Sequence, residues 1–198
     1  MNKRQQQKLA TRQKLVNTAR KLFIKQGFLE TTTVQIAKQS GVAHGTLFVH
    51  FPTRDYLMIE VLDAEMELLS DELNQVASRT GDFFELLDRY LDFLIEHEDI
   101  FAVLARELPF YPDELRRKAL FRQAGIQGHF HRALSDAVVT DRFPACNAGM
   151  VVQTVFAQLH YYLSLRSVFV DEGSVIERFR RRIVSIARSL VTFSGEKS

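Results

Sequence analysis

Apolar residues recur every three to four positions along nearly the whole chain. That spacing lines one face of an α-helix, and no segment alternates as a half-buried strand would. The first pattern covers residues 5–26, with Leu15, Ala19, Leu22 and Phe23 on one side and Lys and Arg on the other. Gly27 fits its C-terminal cap. Thr32 and Gln35 have the spacing of a capping box, so a second helix is expected from Thr33 to about Ser40. Gly41 can then adopt the left-handed conformation of a sharp turn. A third, short helix is predicted over residues 44–51, closed by Pro52. Two short helices about a glycine turn form a helix-turn-helix pattern, with Val34, Ile36, Ala37, Val42 and Leu47 as its expected core.

The rest of the chain also reads as helix. An amphipathic segment over residues 54–77 should connect the first three helices to a larger body. Residues 82–97 carry Phe83, Phe84, Leu87, Tyr90, Leu91 and Leu94 at helical spacing, and a shorter helix is expected over residues 99–107. Pro112 suits the first position of the next helix, with Asp113 and Glu114 favourable in its first turn. That helix runs toward Thr140, with a break or kink expected at Gly125 and Gly128. Pro144 is read as opening a helix that lasts to Phe169, and Ser174 with Glu177 as a capping box for a last helix ending near Thr192. The expected fold is all-α with about nine helices. A three-helix helix-turn-helix domain over residues 1–52 would be followed by a helical body over residues 53–198.

Composition narrows the class. The 198 residues can bury a real core, and 46% hydrophobic with 25% charged residues is the balance of a globular protein. The single cysteine, Cys146, excludes an intrachain disulfide framework and suits a reducing compartment, so a cytoplasmic location is expected. The first residues show no apolar stretch of a secretory signal. The most apolar segment, residues 150–170, is interrupted by Gln153, Gln158, His160 and Arg166, which argues against a membrane span. Charge is segregated: through Asp55 ten Lys and Arg face two acidic residues, a net of +8, while the remainder carries −6. A basic head on an acidic body points to a polyanionic partner.

Catalytic signatures are lacking. The sequence holds no phosphate-cradling glycine loop, nucleophile elbow or zinc-protease motif. His129 and His131 are two apart, which on a helix sends them to different sides and suits a shared metal poorly. Cys146 reads as a small buried hydrophobe rather than a reactive thiol. No enzyme activity, catalytic residue, metal site or cofactor is therefore expected.

The stretch from Thr32 to Phe51, TTVQIAKQSGVAHGTLFVHF, with the preceding ARKLFIKQGF of residues 19–28, resembles the TetR family of bacterial transcriptional regulators (the TetR/AcrR type). The likeness covers roughly residues 10–60. It implies a repressor that binds a palindromic double-stranded DNA operator as a homodimer, with residues 44–50 forming the helix that enters the major groove. Ala43, His44, Thr46 and Val49 would lie near the base edges, His44 being the best hydrogen-bonding side chain. Three positions depart from the family pattern. Ala43 stands where Ser or Thr is usual, Phe48 where Tyr is usual, and Arg54 where Lys is usual. Two phosphate donors are thereby lost, which shifts the expected phosphate contacts to Thr33, Lys38, His50, Arg54 and the N-terminal arm.

Seventeen of the 21 Phe and Tyr residues lie beyond residue 55, as expected of a body with an aromatic-lined cavity for an apolar or aromatic small-molecule effector. The family resemblance places that cavity between the central helices. Its expected walls are Phe84, Tyr90, Phe101, Phe121, Phe130 and Phe156, with Arg106, His160 and Tyr161 as polar anchors. Two apolar stripes, Val152–Leu159–Leu163 and Val175–Phe179–Ile183–Ile186–Leu190, could each face the chain's own core. The resemblance assigns them to a two-fold four-helix dimer interface. The alternative reading of the body is a DNA-bound adaptor that grips a protein partner instead of a small molecule.

Overall fold

A computed structural model of the chain describes residues 2–193. The end residues of the two expected domains, 1 and 194–198, lie outside the described residues. Among the described residues there are ten α-helices and no strand, one helix more than the pattern implied.

Helix α1 (Lys3–Gln26) starts at a reciprocal capping box in which Asn2 Oδ1 accepts from the Gln5 amide at 2.9 Å and Gln5 Oε1 accepts from the Asn2 amide at 3.1 Å. It ends at Gly27, whose φ of 91° a side chain rarely tolerates. Helix α2 (Thr33–Ser40) has the expected Thr32–Gln35 box and stops at Gly41 in the left-handed conformation. Helix α3 (His44–His50) begins after Ala43, which offers no side-chain cap. Leu15, Ala19, Phe23, Ile36, Ala37 and Leu47 are buried where these helices meet. Val34 is not among them and stands 58% exposed. An eight-residue helix that buries Ile36, Ala37 and Ser40 turns a side chain two positions before Ile36 to the opposite face.

The long α4 (Arg54–Arg79) carries the chain from this head into the body, capped by Thr53. The body continues with α5 (Phe83–Glu96), α6 (Glu98–Glu107), a short 3₁₀ turn over Leu108–Phe110, α7 (Asp113–Val139), α8 (Ala148–Ser164), α9 (Arg166–Phe169) and α10 (Val175–Phe193). One apolar core runs from head to body. Phe130 packs at its centre against Tyr90 and Phe156, each ring centroid 5.4 Å away.

Four expectations about helix courses and ends differ. Helix α7 is continuous through Gly125 and Gly128, and beyond the helix's own adjacent backbone nothing stands within 4 Å of where a Cβ would be at either. Each glycine costs about 1 kcal/mol against alanine, which the buried face of Leu115, Ala119, Ile126 and Phe130 offsets. Pro112 immediately precedes α7 instead of occupying its first position, and Pro144 lies in a loop, because Asn147 caps α8 through the Met150 amide at 3.0 Å. The helix expected to reach Phe169 breaks at Leu165, where neither Gly nor Pro stands. The cause is tertiary. Arg166 Nε donates to buried Glu98 at 2.7 Å, and its Nη2 donates to the Gly173 carbonyl at 3.0 Å.

Candidate nucleic-acid interface and internal cavity

The turn between α2 and α3 is set by Gly41, whose amide donates to Lys38 O at 3.1 Å while the Val42 amide donates to Ala37 O. That turn brings Thr33, first residue of α2, against His44, first residue of α3, with Thr33 Oγ1 and His44 Nε2 3.0 Å apart. One helical turn on, the Phe48 ring stands edge-on to His44 at 5.0 Å. Phe48 is 42% exposed and Val49 72%, so the outer face of α3 presents an imidazole beside two large apolar groups. Ala43 and Lys38 are exposed next to it, and Thr46 is half-buried. Neither α2 nor α3 contains an acidic residue.

Two expected phosphate ligands are half-buried. Arg54 is half-buried and donates through Nη1 to the carbonyls of Leu29 at 3.3 Å and Thr31 at 3.4 Å, tying the start of α4 to the loop after α1. His50 is half-buried, and its Nδ1 has no hydrogen-bond partner among the described residues. Burial, then the charges of Lys8 and Arg12, hold the imidazole below its ordinary pKa. At neutral pH the ring is therefore neutral.

The head is latched to the body by a buried carboxylate. Glu107, last residue of α6, accepts from the backbone amides of Phe28 at 2.8 Å and Leu29 at 3.2 Å. Arg106 Nη2 reaches the other oxygen at 3.1 Å. Gly27 lies so close that a Cβ there would strike Glu107 Oε1. A second tie joins Arg20 of α1 to buried Glu65 of α4, which also contacts His97 Nδ1 at 2.9 Å.

Helix α6 is also a wall of the body's apolar cavity, a partly open space of about 80 Å³ between α4, α5, α6, α7 and α8. Tyr90, Phe101, Phe156 and His160 line it. Burial raises the Tyr90 phenol well above its ordinary pKa, so it stays neutral. The other expected wall residues lie elsewhere. Phe130 is fully buried behind Tyr90 and Phe156, and Phe84 packs on Phe83 and Phe143 under the Arg188 guanidinium. Phe121 is 77% exposed on the outside of α7, and Tyr161 is 52% exposed on the outside of α8. Arg106 belongs to the latch.

Aliphatic wall residues such as Leu62, Met66, Leu104 and Leu159 went unseen, since nothing in sequence separates them from core. Gln123 had a signal: it interrupts the Ala119–Ile126 apolar face of α7. The expected dimer stripes also face inward. Val152, Leu159, Leu163, Val175 and Ile183 are buried in their own chain, with Leu159 and Leu163 in the cavity wall. Phe179 stacks on Tyr162 at 4.3 Å, while Ile186 and Leu190 are half-buried. Cys146 is half-buried in the loop before α8, and burial pushes its thiol pKa up, away from reactivity.

A basic three-helix head with an exposed second helix of a helix-turn-helix is joined here to a helical body with an apolar pocket. The family model described as bacterial regulatory proteins, tetR family, matches residues 15–61. Over 128 residues the chain is 24% identical to the uncharacterised HTH-type transcriptional regulator YuxN of Bacillus subtilis (strain 168), covering 61% of this chain and 44% of YuxN. Over 52 residues it is 42% identical to the HTH-type transcriptional regulator QacR of Staphylococcus aureus (strain Mu50 / ATCC 700699), covering 26% of this chain and 28% of QacR. The matches thus span less than half the length of these curated relatives. Its fold is similar to that of FadR from Bacillus subtilis in complex with stearoyl-CoA, with a TM-score of 0.76 at 17% identity over 93% of this chain and 99% of that one. PfmR of Thermus thermophilus gives a TM-score of 0.70 at 18% identity, over 88% and 97%. The family match covers the helix-turn-helix head, and the likeness of the body is one of fold. These relatives are transcriptional regulators.

Proposed function

We propose that the chain is a cytoplasmic, dimeric repressor that reads a two-fold-symmetric DNA operator with α3 and releases it when an apolar small molecule enters the body cavity. The observation that carries the DNA reading is the outer face of α3. His44, Phe48 and Val49 stand exposed on a seven-residue helix, held at its start by Thr33, with no carboxylate on α2 or α3 to repel phosphate. An imidazole can hydrogen-bond a base edge, and Val49 and Phe48 can pack on thymine methyl groups. Lys38 serves the backbone.

Selection of duplexes from a random pool tests this. Enriched sites should be palindromic, with half-site centres a whole number of helical turns apart. His44→Ala should relax preference at one position per half-site by about 1–3 kcal/mol. Lys38→Ala should weaken all sequences alike and lower the salt slope by about one unit. A pool that shows no enrichment would sink the reading.

The cavity supports the effector part. Its wall is aliphatic and aromatic, with Gln123 and His160 as polar points and no carboxylate among its described lining residues. Such a wall suits a neutral or weakly anionic apolar molecule and gives a cation no counter-charge. At 80 Å³ the space is smaller than most ligands, so a ligand that fills it would widen it, and α6 is the wall whose displacement would reach the head. The latch at Glu107 would carry that displacement to the loop between α1 and α2. A ligand specific to the widened state, at 100 times its dissociation constant, should stabilise the chain by about 2.7 kcal/mol and weaken operator binding. A thermal-shift screen of fatty acids, flavonoid-like aromatics and lipophilic cations checks this. Shifts from lipophilic cations alone would contradict the wall chemistry, and a body that responds to no small molecule would favour a protein-binding adaptor.

A further inference from the structure

Helix α1 begins at Lys3, yet its first buried residue is Leu15, and residues 2–10 are all exposed. Residues 3–14 therefore form about 18 Å of helix, at 1.5 Å per residue, that takes little part in the core. The extension is built as helix: the Asn2–Gln5 capping box closes its start, and Gln, Lys, Arg, Leu and Ala fill it. Its charges do not serve helix stability. Lys3 and Arg4 occupy the first turn, where acidic residues are favoured, and no acidic residue precedes Glu30.

The extension has a defined relation to α3. Arg12 at its root pairs with Glu60 of α4, Nη2 to Oε2 being 2.9 Å, and its guanidinium lies 4.6 Å from the centroid of the Phe51 ring just after α3. Arg4, Lys8 and Arg12 fall four residues apart, on one helix face. Lys8 and Arg12 are near enough to His50 at the end of α3 to disfavour its charged form. A one-sided row of cations, rooted beside the last residue of the groove-reading helix, is continuous with the surface that would meet DNA.

We propose that residues 3–14 form a rigid basic arm that binds the phosphate backbone of duplex DNA flanking the half-site occupied by α3. The arm rests on the DNA-binding reading above and adds affinity and footprint without base preference. Its length matches about five base-pair steps of 3.4 Å.

The full-length triple variant Lys3→Gln, Arg4→Gln, Lys8→Gln removes three charges from side chains that touch no core, so the fold is undisturbed. Binding is measured against salt concentration on two duplexes, one ending at the selected half-sites and one with ten further base pairs on each side. On the long duplex the variant's salt slope should fall by about three units per head, with a loss of at least tenfold in affinity near physiological salt. On the trimmed duplex the two proteins should bind alike, and the preferred bases should not change. An unchanged slope on the long duplex, or an equal loss on both duplexes, overturns the arm alone while wild-type binding persists. Wild-type chain that binds no duplex overturns the regulator reading and the arm with it. Binding to anionic-lipid vesicles that needs these three charges, with duplex binding indifferent to them, assigns the arm to a membrane surface and overturns it as a DNA element.

Discussion

Gly27→Ala is expected to destabilise the chain by about 3 kcal/mol or more, read as a fall in the urea midpoint at unchanged m-value. Two effects combine. Gly27 has φ 91° and ψ 162°, a region open essentially to glycine alone, where a side chain costs about 1–3 kcal/mol. The new Cβ would also meet Glu107 Oε1. That carboxylate is 8% exposed and already accepts from the Phe28 and Leu29 amides, so it has little room to retreat. If it is pushed aside, a buried amide loses its acceptor at a further cost of about 1–3 kcal/mol. Glu107→Ala alone should lose that second amount and keep the backbone relaxed. Because both changes act on one contact, the double variant should be less destabilised than the sum of the singles. Glu107→Ala should also weaken the effect of an effector on operator affinity, since α6 then moves without pulling on the loop after α1. A Gly27→Ala protein within about 0.5 kcal/mol of wild type would show that the latch stabilises nothing.

The head was legible because its signals are local. The Thr32–Gln35 box, the Gly41 turn and the end of α1 at Gly27 each involve residues within four or five positions of one another. The body obscured its boundaries where distant residues decide them. Glu98 accepts from the Val175 amide at 2.8 Å, the Ile176 amide at 3.1 Å and Arg166, so one buried carboxylate caps α10 and helps set the break after α8. Ser174 with Glu177 predicted where α10 starts, and Ser174 Oγ does accept from the Glu177 amide at 3.0 Å, but Glu98 was invisible as its main partner. The cavity was half-legible for a different reason. Aromatic density locates a region, but which aromatics turn inward depends on helix rotation that several neighbours fix together. Tyr90 and Phe156 went in, while Phe121 and Tyr161 went out. The latch could not be read at all, since Glu107 and Phe28 are 79 positions apart.

The same ambiguity bears on the proposed dimer contact. A helix with apolar residues on two sides offers no sequence rule for which side meets its own core. Val152, Leu159 and Leu163 take the inner side of α8, leaving Met150 49% exposed, Tyr161 52% and Leu165 38%. Ala157 is exposed between them, so Ala157, Tyr161 and Leu165 stand four residues apart on one outer row. Half-buried Ile186 and Leu190 on neighbouring α10 flank the inward-facing Ala187. Tyr161 sets its ring edge on Phe169 at 5.5 Å yet stays half in solvent, and an outer apolar row of this kind fits a two-fold partner contact. Tyr161→Asp is therefore expected to give a folded monomer, as is Ala157→Glu, because both side chains are exposed. Each should bind the operator about 10²–10⁴-fold more weakly, having lost the second linked half-site. Ile183→Asp should behave differently. Ile183 is fully buried, and an unpaired carboxylate there should destabilise the chain by several kcal/mol and show as lost helix content or a low melting temperature. Sedimentation velocity with circular dichroism on all three variants separates the cases. If Tyr161→Asp and Ala157→Glu both remain dimers with full operator affinity, the outer face of α8 is not the interface.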